Sequence, residues 1–416
     1  MKKLIRRAGI SLSFLLICSF LLCGHNPVFA EQPLSAGEFA KVIVCSKVFE
    51  ALGRFDNQAA KEVLVKGLRS NHYLLRLAAV NALSELQNKD AIQELRAAGN
   101  DGNYLVRIAA LGALVKLGDT DRETALLGTL NDSDPAVRHA CVVTLRNNFG
   151  SQYAPQLLRA LENEKSTAVR REIIDTLGDN RFEAAAAYIS TALKDPDPEI
   201  RQVSCRAIYK IINREDAIAL LKDCLKDNNP LVRAEAKISL GQLNEASLFN
   251  QFWKDLQDSE PVIRSSSFEA LANLKSLSVI PTLLKAIVAK DSPAFVRMGA
   301  ARSLKILKPS LNQEVSKSWS KTESQLAENI DVGYRVEGKN LLSLLTEALQ
   351  NKQDPLYLDA PLVLRELEDS LTYPALRKAL YQDSPEMVAS AAYVLGELRD
   401  KDAFSDLIQV CKAYGF

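Results

Sequence analysis

Downstream of residue 30 the chain has two histidines, His72 and His139, and five cysteines, Cys45, Cys141, Cys205, Cys224 and Cys411. These are the side chains that most readily move protons, hold metals or attack carbonyls near neutral pH. Their spacing supports none of those tasks. No CxxC or His-Glu dipeptide occurs: His72 precedes Tyr73 and His139 precedes Ala140. No Ser-His-Asp arrangement or phosphate-cradling glycine motif is recognisable, and Gly99-Asn-Asp-Gly102 reads as a turn. Cys141 and Cys224 fall on apolar positions of helical patterns, where a thiol acts as a small hydrophobe. An odd number of cysteines is not a disulfide framework, so buried thiols are expected. His139 follows an arginine at the start of a helix and is expected to face solvent or to cap. The residue inventory therefore predicts no catalytic, metal or cofactor site.

What does recur is arginine. Arg76, Arg107, Arg138, Arg170, Arg201, Arg233, Arg264 and Arg297 return at intervals of about 31 residues, each after an apolar residue. A fixed period of this length marks stacked supersecondary units that cannot bury their apolar faces alone. Residues 101–133 illustrate one unit. Val106, Ala110, Ala113, Leu114 and Leu117 form a helical stripe, Gly118-Asp119 stops it, and a second helical stretch runs from Arg122 to Leu130. Asp132-Ser-Asp-Pro, Asp195-Pro-Asp-Pro, Asp227-Asn-Asn-Pro and Asp258-Ser-Glu-Pro open later units with a capping acceptor and a first-turn proline. The helices that carry the arginines have central residues Leu83, Leu114, Leu145, Leu177, Ile208, Leu240, Leu271 and Leu304. A small residue precedes each, letting neighbours approach closely. The frame extends to Val44–Phe55, with Cys45 at the arginine position, and to Leu356–Leu367 and Met387–Leu398. This predicts eleven such helices, with terminal units whose outer faces meet water. Residues 309–339 interrupt the period and are read as an inserted helix plus loop, with a degenerate repeat as the alternative.

Lys2, Lys3, Arg6 and Arg7, an apolar run from Ile10 to Cys23, and Val28-Phe29-Ala30 read as a cleaved export signal, with the cut before Glu31. Neither Cys18 nor Cys23 follows a small residue, so lipidation is not expected. The whole chain has 52 basic and 51 acidic residues. Without the four basic residues of the leader, 48 face 51, a balance of −3, which leaves no general basic footprint for nucleic acid. The expected organisation is a signal at 1–30, repeats at 31–308, the interruption at 309–339, and C-terminal repeats with a cap at 340–416.

The Asp-x-x-Pro-x-Val-Arg frame, its Ala-Leu centre and the Leu-Gly-Asp stop resemble HEAT repeats. They are most similar to the short HEAT-like repeats named after the phycobilisome lyases. The resemblance implies an all-α, right-handed αα-solenoid of about eleven helix pairs. It also implies an Arg–Asp ladder between units, carried here by Arg107, Arg138, Arg201, Arg233, Arg264 and Arg297 with Asp101, Asp132, Asp195, Asp227, Asp258 and Asp291. Lys165 is expected to break the ladder in one unit. Deoxyhypusine hydroxylases share this architecture but hold iron with His-Glu pairs, which this chain lacks. A bilin-lyase reading conflicts with export. The resemblance thus points to a non-enzymatic scaffold or adaptor in the periplasm or outside the cell, with no nucleic-acid partner and no stable membrane insertion. A small-ligand-handling enzyme such as a HEAT-like lyase is the alternative. A protein partner is expected on the concave face, at Leu77, Ile108, Val143, Arg206, Ile238, Met298 and Arg302.

Overall fold

The computed structural model describes residues 35–87, 89–315, 335–336 and 339–415. The expected export signal, the cut before Glu31 and most of the interruption at 309–339 lie outside them. The α-helices alternate along the chain: α1 (Ala36–Leu52), α2 (Gln58–Gly67), α3 (Tyr73–Glu85), α4 (Ile92–Ala98), α5 (Tyr104–Lys116), α6 (Glu123–Gly128), α7 (Pro135–Phe149), α8 (Ala154–Asn163), α9 (Thr167–Asp179), α10 (Ala186–Ala192) and α11 (Pro198–Ile211). They continue as α12 (Arg214–Cys224), α13 (Pro230–Gln242), α14 (Phe249–Lys254), α15 (Pro261–Asn273), α16 (Ile280–Val288), α17 (Ala294–Val315), α18 (Leu341–Ala348), α19 (Ala360–Leu367), α20 (Tyr373–Ala379), α21 (Pro385–Glu397) and α22 (Phe404–Ala413). The odd-numbered helices are those of the arginine frame, eleven among the described residues. A two-residue antiparallel pairing, Arg335–Val336 with Lys339–Asn340, precedes α18. The expected break after residue 308 falls inside α17, which continues through Pro309 to Val315.

Local chemistry sets both ends of the odd-numbered helices. Asp134, Asp197 and Asn229 accept the backbone N–H two residues on, ahead of Pro135, Pro198 and Pro230 at the first helical position. At the other end the chain turns left-handed at one fixed place, eleven residues beyond the arginine position. Gly118 is there in one unit at φ +100°, but Gln87, Arg181, Asn244, Lys275, Glu368 and Arg399 hold φ of +49° to +59° in others. The N–H of the following residue then donates to the central leucine: Asp119 to Leu114, Phe182 to Leu177, Glu245 to Leu240, Ser276 to Leu271 and Asp400 to Leu395. That is the Schellman closure, and it satisfies carbonyls that the helix end would otherwise leave bare.

The chain divides into two compact units. Unit 1 comprises Met1–Ala82, Ile287–Met298 and Thr322–Phe416; unit 2 comprises Leu83–Ala286 and Gly299–Lys321. In unit 2, α5, α7, α9, α11, α13 and α15 pack in succession. Their core lines up the residues the period selects, including Val106, Leu114, Leu145, Val169, Leu177, Ile208, Val232, Leu240 and Leu271, all essentially inaccessible. Close approach depends on small residues: a Cβ on Gly241 would lie 2.6 Å from the Ala270 Cα, and one on Gly178 would lie 2.8 Å from that of Ala207.

Unit 1 departs from the expected terminal caps. Helix α1 packs against both α21 and the last helix, α22. Val44, Cys45, Val48, Phe49, Ala51 and Leu52 are all buried. Phe55 meets Phe404 with ring centroids 5.7 Å apart, and Arg54 pairs with Glu397. The helix pair to which α1 belongs is thus split, with its first helix, α22, coming from the other end of the sequence. The outer face of α1 meets a neighbour rather than water, which explains why α1 is apolar nearly all round.

Candidate protein-interaction surface

The period-marking arginines serve the turn before they serve any surface. In each of Arg107, Arg138, Arg201, Arg233 and Arg264, Nη1 donates to two backbone carbonyls, six and five residues back. Arg76 does the same with Ser70 and Asn71. The aspartate six residues back folds that turn with its side chain. Asp101, Asp132, Asp195, Asp227 and Asp258 accept the N–H two residues on at 2.8–2.9 Å. Spacing alone could not reveal this carbonyl clamp, because any residue supplies a carbonyl.

Rungs between successive repeats are present as well. Arg201 forks onto both carboxylate oxygens of Asp227 at 2.7 and 2.9 Å, the planar bidentate geometry that arginine favours. Arg170 reaches Asp195 at 2.5 Å. Arg138 forks onto Glu164 at 2.7 and 2.8 Å. The break expected at Lys165 does not occur, because the residue six before Arg170 is Glu164, one position earlier. The bond from Arg138 holds the Glu164 carboxyl below its ordinary range, and Arg201 does the same to Asp227. Arg297 differs. Its turn carbonyls are Ala289 and Lys290, and its carboxylate is Asp359 on the rim of α19, not Asp291. The longer 33-residue interval before Arg297 displaces Asp291 from the usual place.

The positions expected to meet a partner are not a single apolar strip. Ile108 is only 2% exposed, which removes it from any surface. Ala234 and Ser265, one residue after their arginines like Ile108, are also buried. Within unit 2, α7, α9, α11 and α13 each lie between two other odd-numbered helices, so a buried arc is wider than one stripe. Gly299, for example, approaches so closely that a Cβ there would meet Ser265 Oγ at 2.4 Å. Val143 and Ile238 in unit 2, and Leu77 and Met298 in unit 1, are half-buried, while Arg302 is exposed.

Unit 2 instead carries a run of linked charges across four helices. Arg146 on α7 reaches Glu172, Asp175 and Asp179 on α9 at 3.0, 3.1 and 2.7 Å. Arg206 on α11 lies 3.5 Å from Asp175 and 2.7 Å from Glu235 on α13. Lys210 closes on Asp179 at 2.7 Å, and Gln202 donates to Glu235. Burial works against the Asp179 charge, yet Lys210 and Arg146 hold its carboxyl below the ordinary range. A further pair, Arg302 with Glu269 at 3.0 Å, joins α17 to α15. Of the predicted contact residues, Arg206 therefore belongs to the charge run and Arg302 to a separate pair. Sequence reasoning missed Glu172 and Glu235, which share one frame position, two residues after their arginines.

Neither histidine sits in a reactive setting. His72 accepts the Leu74 N–H at 3.2 Å through Nδ1, a helix cap. His139 neither caps nor faces solvent. Its Nε2 is shielded without a hydrogen-bond partner, 3.9 Å from Glu172, and burial lowers its pKa. All five described cysteines are free and buried. Among the described residues no cluster of three His, Cys, Asp or Glu side chains could hold a metal, and no helix is long and apolar enough to cross a membrane.

The chain is similar to several known proteins. The family model for HEAT repeats matches residues 43–104 and 154–241. Deoxyhypusine hydroxylase-B of Oryza sativa subsp. japonica is 33% identical over 108 residues, 26% of this chain and 35% of that protein. The match thus spans about a third of the relative's length. Among solved structures, the Escherichia coli protein YibA is 20% identical with a TM-score of 0.39, over 67% of this chain and 99% of that one. The CpcE–CpcF phycocyanin lyase of Nostoc is also 20% identical, with a TM-score of 0.37 over 61% of this chain and 95% of that one. Yeast importin-β is 14% identical with a TM-score of 0.38, over 90% of this chain and 65% of that one. With its paired helices and its arginine-clamped turns, the chain is all-α and carries HEAT repeats at residues 43–104 and 154–241.

Proposed function

We propose that this protein is a non-enzymatic scaffold that binds a protein partner, and that it works after export, in the periplasm or outside the cell. The observation that carries the interaction reading is the linked charge run across α7, α9, α11 and α13. Three cations (Arg146, Arg206, Lys210) and four carboxylates (Glu172, Asp175, Asp179, Glu235) are held at fixed positions by one another. Side chains already immobilised lose little entropy when a partner docks, and alternating sign selects a complementary protein surface over a polyanion. The balance of −3 after residue 30 argues the same way against nucleic acid. The export reading rests on Lys2–Arg7, the apolar run and Val28-Phe29-Ala30.

The test places a photo-crosslinking residue at Gln202 and compares it with the same chain carrying Arg206→Glu and Arg146→Glu. A discrete protein adduct that disappears in the charge-reversed but folded chain supports the reading. Adducts that persist unchanged, or no discrete adduct at all, would sink it. Fractionation of the host cell checks export separately; chain found with residues 1–30 intact in the cytosol overturns that part alone.

The alternative is an enzyme that handles a small ligand, favoured by the 33% identity to a deoxyhypusine hydroxylase over 108 residues. Metal analysis of the purified chain separates the two. Stoichiometric iron would favour the hydroxylase-like reading, which the described residues do not otherwise support.

A further inference from the structure

Arg206 is the most exposed cation of the charge run, and only one edge of its guanidinium is in use. A guanidinium carries five N–H groups in a flat fork. Glu235 takes the side-on edge, accepting from Nε at 3.1 Å and from Nη2 at 2.7 Å. On the end-on edge Asp175 lies 3.5 Å from Nη1, outside good hydrogen-bond range. The Arg206 side chain is 41% exposed, against 9% for Glu235 and 16% for Asp175. A docking surface therefore meets the guanidinium before it meets either carboxylate. Asp179 is the exposed carboxylate of the run, and it is held by Arg146 and Lys210, both at 2.7 Å. The half-buried Ile238 occupies, on the next packed helix α13, the position that Arg206 holds on α11.

We propose that the end-on edge of Arg206 receives an Asp or Glu side chain of the partner, so that the surface fits an acidic protein segment. This rests on the partner-binding reading above and names the chemistry of that partner. The two oxygens of a carboxylate match two outward N–H groups, one on Nη1 and one on Nη2, in a parallel pair. Glu235 already fixes the guanidinium plane, so little side-chain freedom is lost on docking. Lysine would supply the charge but not the fork. A basic segment is a poorer fit, because the carboxylates of the run are either shielded or, like Asp179, already bridged by two cations. A polyphosphate is a poorer fit as well. It needs a continuous basic row, and here three cations alternate with four carboxylates.

The experiment titrates the folded chain into a fluorescein-labelled, C-terminally amidated serine–glycine peptide bearing spaced glutamates, and follows anisotropy at low ionic strength. Matching peptides carry glutamine or lysine instead, and a glutamine peptide with a free C-terminus offers a terminal carboxylate alone. The glutamate peptide should bind most tightly. Arg206→Gln should weaken it about tenfold, the worth of one charge-assisted hydrogen bond. Arg206→Lys should weaken it nearly as much, because the fork is lost while the charge stays. Arg159→Gln, the same charge change at an exposed position of α8, should leave binding unaltered. A wild-type chain that does not prefer glutamate over glutamine and lysine overturns the proposal, whatever the variants do. So does full binding by Arg206→Lys, equal binding of the free C-terminus, or equal competition by oligothymidylate. Circular dichroism of each variant confirms that lost binding is not an unfolded chain. The Gln202 cross-link is read independently. An adduct lost on charge reversal while the peptides fail leaves the scaffold reading standing and removes only the acidic partner; an adduct indifferent to charge reversal defeats the scaffold reading itself.

Discussion

Gly396 on α21 rests against Ala51 on α1: a Cβ added at Gly396 would lie 2.6 Å from the Ala51 Cα. The same contact joins consecutive repeats elsewhere, at Gly178 with Ala207 and at Gly241 with Ala270. In unit 1, Gly53 repeats it one step on, against Ala82. By this signature α1 follows α21 as though no chain end intervened, and the first and last helices of the described chain share one repeat.

Replacing Gly396 with Ala therefore forces backbone apart at that step and is expected to cost about 1–3 kcal/mol. Gly128, with nothing within 4 Å of a Cβ, provides the matched control, where Ala should be neutral or slightly stabilising. Deleting residues 401–416 should be more severe. It strips the cover from Cys45 and its neighbours, so amide hydrogens of α1 should exchange orders of magnitude faster while those of α13 do not. Unchanged protection of α1 after the deletion would contradict the split repeat.

The left-handed closures offer a stabilising test. Lys275 holds φ +59 at the place where Gly118 stands in another unit. A non-glycine residue in that conformation carries about 1 kcal/mol of steric cost. Lys275→Gly should recover about that much, less a few tenths from added freedom in the unfolded chain. Denaturant midpoints of Lys275→Gly and Gly118→Lys should move in opposite directions; a loss of stability in both would mean that the Lys275 side chain makes a contact worth more than the strain.

Much of this was readable from the residues, and the limits have physical causes. The arginine period located every odd-numbered helix, because burial between neighbours constrains the same positions in each unit. The carbonyl clamp could not be read, since backbone acceptors carry no sequence mark. The seating of α1 on α21 could not be read either, for a period says which helices are equivalent and not which ends meet. Ile108 was misplaced because a stripe one helix-face wide underestimates burial between two neighbours. The charge run was only half visible: Arg206 lay on the expected face, but Glu172 and Glu235 occupy positions that are apolar or small in other repeats.

Arg297 and Asp359 form a pair of another kind. Their side chains are 5% and 8% exposed, and burial pushes the Asp359 carboxyl up against the pull of Arg297. Removing one partner leaves a buried charge alone. Asp359→Ala should cost about 3–5 kcal/mol, whereas a double replacement by Arg297→Met and Asp359→Leu should regain most of it. The pair Arg302–Glu269, whose arginine is 46% exposed, should contribute no more than about 1 kcal/mol. Equal losses from Asp359→Ala and Glu269→Ala would show that burial does not govern the Arg297 pair.

His139 supplies the pH dependence. Burial disfavours its charged form; Glu172 partly offsets this and Arg171 adds to it, while Arg146 already occupies the same carboxylate. Its folded pKa therefore lies below the unfolded value of about 6.5. As pH falls through that value the unfolded chain takes up a proton that the folded chain refuses, so stability declines on acidification and is fully present above it. Urea unfolding of unit 2, followed by hydrogen exchange in α7 and α9, should show this decline between about pH 7 and pH 5.5. His139→Gln should flatten it while leaving carboxylate-driven losses below about pH 4 intact. A slope that survives in His139→Gln would assign the titration elsewhere, and an imidazole that titrates at its ordinary pKa by NMR would show that Glu172 compensates the burial in full.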